Sequence, residues 1–170
     1  MTAIKKVLHS GYMTKVFGDR YEEVKKNPLK SAVRSAARKL RGVDFDYIIM
    51  TGTSGITFGA ALCYCMDKAP IVVRKTTEKS HSPYNIEGYP VSVTSFGGTE
   101  ETFRAIIVDD FVATGKTIET IKLKIDGYID QMKSYGNKML KPTIVGGYFY
   151  EKGDYTEDLK AYVAIKKMGG

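Results

Sequence analysis

Tryptophan is absent from this 170-residue chain, cysteine and histidine occur twice each, and proline occurs five times. Two cysteines are too few for a disulfide framework, and Cys63 and Cys65, two apart, are poorly placed to bridge each other. With His9 and His81 both distant in sequence, no tetrahedral metal set gathers around them. Both cysteines are expected to be buried and reduced. No run approaches the ~18 consecutive apolar residues of a membrane-spanning helix. The opening MTAIKKVLHSGYM lacks the apolar core and small-residue cleavage site of a secretory leader. The expectation is a soluble, cytoplasmic protein with no membrane partner.

Acid is missing from one stretch. Residues 25–41, KKNPLKSAVRSAARKLR, hold seven of the 26 Lys and Arg residues and none of the 19 Asp and Glu. The remaining 19 cations balance the 19 acids, so the whole net charge of +7 sits on that stretch. With 43% hydrophobic and 26% charged residues, wholesale disorder is excluded. The length fits a single domain, residues 1–170, with its core over about 45–150.

Hydrophobic spacing organises that core. Leu29, Val33, Ala36, Ala37 and Leu40 share one face of a helix over 29–41, with Pro28 at its start, Gly42 at its end, and Lys30, Arg34, Arg38 and Arg41 along a neighbouring stripe. FDYIIM (45–50) reads as a buried strand, TGTSG (51–55) as a small-residue loop, and ITFGAALCYCMDKA (56–69) as a buried helix. IVVRK (71–75) is the next strand, 76–90 a polar mobile loop, and RAIIVDD (104–110) a further strand. After the loop FVATGKT (111–117), Ile118, Ile121, Ile125, Ile129 and Met132 mark a helical face. PTIVGGYFY (142–150) and AYVAIKK (161–167) complete the strands. Short apolar strands alternating with helices specify an α/β fold, a mostly parallel sheet covered on both faces. In such sheets ligands bind beyond the carboxyl ends of the strands, so the loops at 51–55 and 111–117 should open on one edge.

The segment 104–121 carries the chemistry. A strand delivers Asp109 and Asp110 to its carboxyl end, and Ala113, Thr114, Gly115, Lys116 and Thr117 then lead into a helix. Free N–H groups and the positive end of the helix dipole make such a junction an anion site. Two carboxylates beside it would repel a bare phosphate. They suit a ligand that also presents hydroxyls or a metal ion, as a ribose 5-phosphate does. Gly115-Lys116-Thr117 mimics the end of a P-loop, but that motif needs glycine where Asp110 stands.

IIVDDFVATGKT resembles the phosphoribosyl pyrophosphate (PRPP) motif of type I phosphoribosyltransferases, an apolar strand with paired acids followed by A-T-G-x-T. The resemblance covers about residues 45–125. It implies that Asp109 and Asp110 hold the ribose 2- and 3-hydroxyls, that Ala113 through Thr117 cradle the 5-phosphate, and that Mg²⁺ accompanies PRPP with no direct protein ligand assigned. It places a pyrophosphate loop at Thr51, Gly52, Thr53, Ser54 and Gly55, often with a non-proline cis peptide in the family, and adds Arg74 and Lys75. RKTTEKSHS (74–82) is similar to the catalytic loop of orotate phosphoribosyltransferases. Lys79 and His81 keep the K-x-H spacing, with one extra residue before Lys79 and Ser82 in place of glycine.

On this reading Lys79, His81 and Asp110 are catalytic; Phe111 is favoured over Tyr148, Phe149 and Tyr150 to stack on the base, and the Tyr148–Tyr150 run reads rather as strand core. The reaction implied moves phosphoribose from PRPP to a nucleobase nitrogen and releases pyrophosphate. The 74–82 loop favours orotate or another pyrimidine, while TGTSGITFG (51–59) is similar to adenine enzymes. The orotate-type loop implies a homodimer, and the terminal segments would build a hood over the base. A PRPP-sensing regulator that binds nucleic acid through the basic helix is the alternative, set below the enzyme because no separate nucleic-acid motif is present.

Overall fold

The computed structural model describes residues 28–75, 83–90, 102–110, 115–150 and 153–159. Three helices and six strands lie within them: α1 (Pro28–Lys39), β1 (Tyr47–Met50), α2 (Gly52–Met66), β2 (Ala69–Val73), β3 (Ile86–Glu87), β4 (Thr102–Asp109), α3 (Lys116–Ser134), β5 (Lys141–Phe149) and β6 (Asp154–Thr156). The strands form one sheet in the order β3-β2-β1-β4-β5-β6. The inner four run parallel, and β3 and β6 are antiparallel at the two edges. The mostly parallel α/β sheet expected from the sequence is therefore present.

Period-two alternation divides the inner strands between two cores. Ile48, Met50, Ile106 and Val108 face α1 and α2, where they meet Val33, Ala36, Leu40, Phe58 and Leu62. Ile49, Ile71, Ala105 and Ile107 face α3 and meet Ile118, Ile121, Ile125, Ile129 and Met132, the face expected for that helix. Each of these five α3 side chains is at most 7% exposed, and such burial is worth about 1.5–3 kcal/mol per large aliphatic side chain.

The register sets where the strands end. Met50 pairs with Val72 of β2 and with Val108 of β4. The residues that follow all three strands therefore emerge side by side at the carboxyl edge.

Several expectations are corrected. Residues 52–55 are not a loop: α2 begins at Gly52, because Gly52 takes φ +63° and turns the chain directly from strand into helix. Likewise Gly115, at φ +78°, is the N-cap of α3, so Lys116 and Thr117 are its first turn. β2 ends at Val73, leaving Arg74 and Lys75 beyond it. Part of the expected 76–90 loop is ordered as β3. Cys63 is buried and Cys65 exposed, both free, because two residues advance about 200° around a helix and so reach opposite faces. Burial pushes the Cys63 thiol up to about 11. The strand expected at 161–167 and the terminal hood segments lie outside the described residues.

Candidate functional site

The site is built where β1, β2 and β4 end. Thr51 follows β1, Arg74 and Lys75 follow β2, and Asp109 closes β4 with Asp110 next to it. Two helices begin at the same edge, α2 after Thr51 and α3 after Gly115. Neither N-cap residue places a side chain on its helix's first N–H groups. Thr51 Oγ1 instead donates to the Val73 carbonyl at 2.5 Å, tying β1 to β2. Two helix N-termini thus converge on one edge with their positive dipole ends.

A cavity of about 250 Å³ opens there. Lys75, Lys116, Thr117 and Lys124 line it, with Thr51 and Arg74 at its margin. The Arg74 guanidinium is held from behind by the Tyr84 carbonyl and by Glu87 at 3.4 Å. The Lys75 chain lies over the first turn of α2: a Cβ at Gly52 would stand 2.8 Å from Lys75 Nζ. Lys124 donates to the Arg74 carbonyl.

The acid pair is half sunk beside this cationic wall. Asp109 is 7% exposed, and Asp110 is half-buried. The Asp110 backbone N–H donates to Asp109 Oδ1 at 3.0 Å. Burial first, and then the neighbouring Asp110 charge, push the Asp109 carboxyl up to about 7; Lys75 opposes that rise. The first turn of α2 is close-packed on the end of β4. A Cβ at Gly55 would lie 3.2 Å from the Val108 carbonyl oxygen and 3.4 Å from Asp109 Oδ1. Such a pair can take hydroxyl hydrogen bonds or share a cation, while the cavity next to it takes anionic oxygens.

The structure brings together Thr51, Gly52, Ser54, Gly55, Arg74, Lys75, Asp109, Asp110, Gly115, Lys116 and Thr117 of the expected residues. Thr53, also expected, is exposed on the first turn of α2. Lys79, His81, Phe111, Ala113 and Thr114 lie outside the described residues. All peptide bonds among the described residues are trans, so the cis bond implied for 51–55 is not found there.

Three residues were missed. Thr120 and Lys124 line the cavity, and their spacing from Lys116 (four and eight residues) was a legible sign that they share a helix face. Tyr150 follows β5 and is 6% exposed, as expected of core, yet its hydroxyl bonds Ser54. Burial and the Asp110 charge both push its phenol up. No sequence signal separated Tyr150 from Tyr148.

No family model matches the chain. Among curated proteins, an adenine phosphoribosyltransferase of Lachnoclostridium phytofermentans is 31% identical over 106 residues, 59% of this chain and 61% of that protein. A hypoxanthine/guanine phosphoribosyltransferase of Methanopyrus kandleri is 30% identical over 103 residues, 59% of this chain and 55% of that protein. Another, from Methanothrix soehngenii, is 26% identical over 164 residues, 89% of this chain and 79% of that protein. The matched region thus spans 55–61% of the first curated relatives' length. Among solved structures, UMP synthase of Leishmania donovani superposes with a TM-score of 0.50 at 20% identity, over 74% of this chain and 22% of that one. The resemblance to phosphoribosyltransferases is borne out at the level of sequence relatives, and the fold is shared with part of that larger enzyme.

Proposed function

We propose that this chain is a type I phosphoribosyltransferase, which moves 5-phosphoribose from PRPP to a ring nitrogen of a nucleobase and releases pyrophosphate. One observation carries the reading. A half-sunk acid pair and a cationic cavity stand side by side at one sheet edge, where two helices begin. That is the complement of a ligand with vicinal hydroxyls between two phosphate groups.

In this mechanism Asp109 and Asp110 accept the ribose hydroxyls and fix the sugar. Gly115, Lys116 and Thr117, with Ala113 and Thr114, hold the 5-phosphate at the start of α3. The first turn of α2 and Lys75 hold the pyrophosphate, with Lys124 adding charge. Arg74, whose guanidinium is engaged by Tyr84 and Glu87, positions that wall. As the bond at carbon 1 breaks, positive charge grows on the ribose near the acids and negative charge on the departing group near the cations. Preorganised charge of this kind is the main source of rate. Lys79 and His81 are proposed to close on the leaving group, and Phe111 to stack on the base.

The donor set also bears on Mg²⁺. Among the described residues no group of three or more His, Cys, Asp or Glu side chains is gathered. Two adjacent carboxylates fit an ion held mainly by substrate oxygens and water, as Mg²⁺ prefers. Bound there, it would neutralise pyrophosphate charge. For the acceptor, the curated relatives named above carry purines in their names, which supports a purine over the pyrimidine expected from the 74–82 loop. A cytoplasmic homodimer completes the proposal.

The test is pyrophosphate release from PRPP and Mg²⁺ across adenine, guanine, hypoxanthine, xanthine, uracil, orotate and nicotinate. Release with one base, lost in Asp110→Asn, is the expected result. PRPP binding without release for any base would move the chain to the regulator. No PRPP binding would overturn the reading of the site.

A further inference from the structure

A second cavity among the described residues is not at the acid pair. About 540 Å³ in volume, it lies at the opposite, amino edge of the sheet, between the C-terminal ends of α1 and α2. Four cations line it: Arg34 and Arg38 from α1, Arg41 just after it, and Lys68 from the connection into β2. Among the described residues no carboxylate lines it. Among the described residues, none of the four meets an acidic side chain; the ion pairs there are Arg74–Glu87 and Arg104–Asp44. Lys68 Nζ sits 5.2 Å above the Phe45 ring, which fixes its side without neutralising it.

Helix electrostatics accounts for only part of this cluster. A cation in the last turn complements the negative end of the dipole, which suits Arg38. Arg34 stands a full turn earlier, and Lys68 comes from a different element. Like charges converging from three segments repel one another unless an anion is shared between them. The floor is different in kind. Leu40, Val43 and Met66 give the cavity an apolar base beneath its basic wall.

We infer that this cavity is a second ligand site, for a nucleoside di- or triphosphate, separate from the acid-pair site and independent of its proposed function. Arginine forks grip phosphate oxygens bidentately, and two of them one helical turn apart can grip two groups of one phosphate chain. The apolar floor accepts the flat ring. The volume falls within the ~300–1,000 Å³ of small-molecule pockets. A nucleic-acid strand would need a long cationic track, whereas these four charges are gathered at one concavity with an apolar base.

Cys65 supplies a local reporter. It lines the cavity and is exposed, while Cys63 is buried. The experiment is maleimide labelling of Cys65 in the full chain, read by mass spectrometry at constant ionic strength. Titrated adenosine triphosphate should slow labelling saturably, and adenosine monophosphate should be weaker. In Arg38→Gln/Arg41→Gln the apparent affinity should fall about tenfold or more. Both positions are exposed, so the variant should keep its melting temperature and its pyrophosphate release. Three results would overturn the inference: no shielding at millimolar adenosine triphosphate, equal shielding in the variant, or shielding by a short single-stranded RNA but not by the nucleotide. Because labelling reads Cys65 alone, loss of PRPP turnover by another route leaves this test intact.

Discussion

The two edges of the sheet use cations to different ends. At the carboxyl edge Lys75, Lys116 and Lys124 stand beside Asp109 and Asp110, where two helices begin. At the amino edge Arg34, Arg38, Arg41 and Lys68 stand over an apolar floor, with no acid among the described residues, where two helices end. The first edge separates positive from negative charge across a few side chains, which can polarise a bond. The second offers only attraction, which can hold an anion and do nothing further to it. Cation number alone therefore does not distinguish a reaction site from a binding site; the acids do.

Helix α2 joins the two edges, since its first turn lies at one and its last at the other. Phe58, midway along it, is fully buried, with ring centroids 4.5 Å from Tyr150 and 6.0 Å from Tyr148. Phe58→Ala is expected to cost about 3–5 kcal/mol of stability, the largest effect here. A urea melt measures the loss. Surviving protein should lose PRPP turnover and Cys65 shielding together, and loss of only one would show that the edges do not share α2 as their support.

Asp110→Asn separates them in the other direction. It removes one member of the acid pair and leaves the amino edge untouched. Turnover of PRPP is expected to fall about 100-fold, the scale of a lost electrostatic contact in a transition state. Melting temperature and Cys65 shielding should hold. An unchanged steady-state rate would take Asp110 out of the chemistry.

A third variant acts through space alone. Alanine is favoured over glycine in a helix by about 1 kcal/mol, so Gly55→Ala in an open helix would raise stability. Here the new Cβ would stand 3.2 Å from the Val108 carbonyl, and overpacking of this kind costs about 1–3 kcal/mol. The expected outcome is a lower melting temperature by calorimetry and a raised KM for PRPP, because the Val108 carbonyl, next to Asp109 at the end of β4, must give way. A gain in stability would mean that β4 yields to the helix freely.

What the sequence disclosed follows the physical range of each signal. Strand cores, the apolar face of α3 and the acid pair rest on local periodicity and adjacency, so they were legible. Ile118, Ile121, Ile125, Ile129 and Met132 all became core. The start of α2 was not legible, because Thr51 through Gly55 has the composition of a turn. Only the positive φ of Gly52, set by tertiary packing, lets the helix begin at once. Tyr150 was hidden for a similar reason. In a strand its hydroxyl has no sequence-visible partner, and Ser54 reaches it only when β5 is aligned beside β4. The cavity at the amino edge joins α1 to Lys68, and no spacing rule spans that separation.

A more gradual effect, spread over several pH units, separates the edges without altering a cation. Burial and the Asp110 charge lift the folded pKa of Asp109 to about 7, from 3.8 ordinarily. Between those values the folded state holds a proton that the unfolded chain has released. By linkage, stability must then fall as pH rises from about 4 towards 7, and level off above. The slope is on the order of 1 kcal/mol per pH unit. Urea midpoints at pH 5, 6, 7 and 8, taken as the difference between the parent chain and Asp109→Asn, isolate it. In Asp110→Asn the window should move to lower pH, since the raising effect of the Asp110 charge is gone, though burial keeps it above the ordinary value. A ligand that presents hydroxyls to the carboxylate binds its ionised form, so PRPP affinity should strengthen over the same window. A difference that stays flat would mean that Asp109 is ionised at its ordinary pH and that burial does not hold its proton.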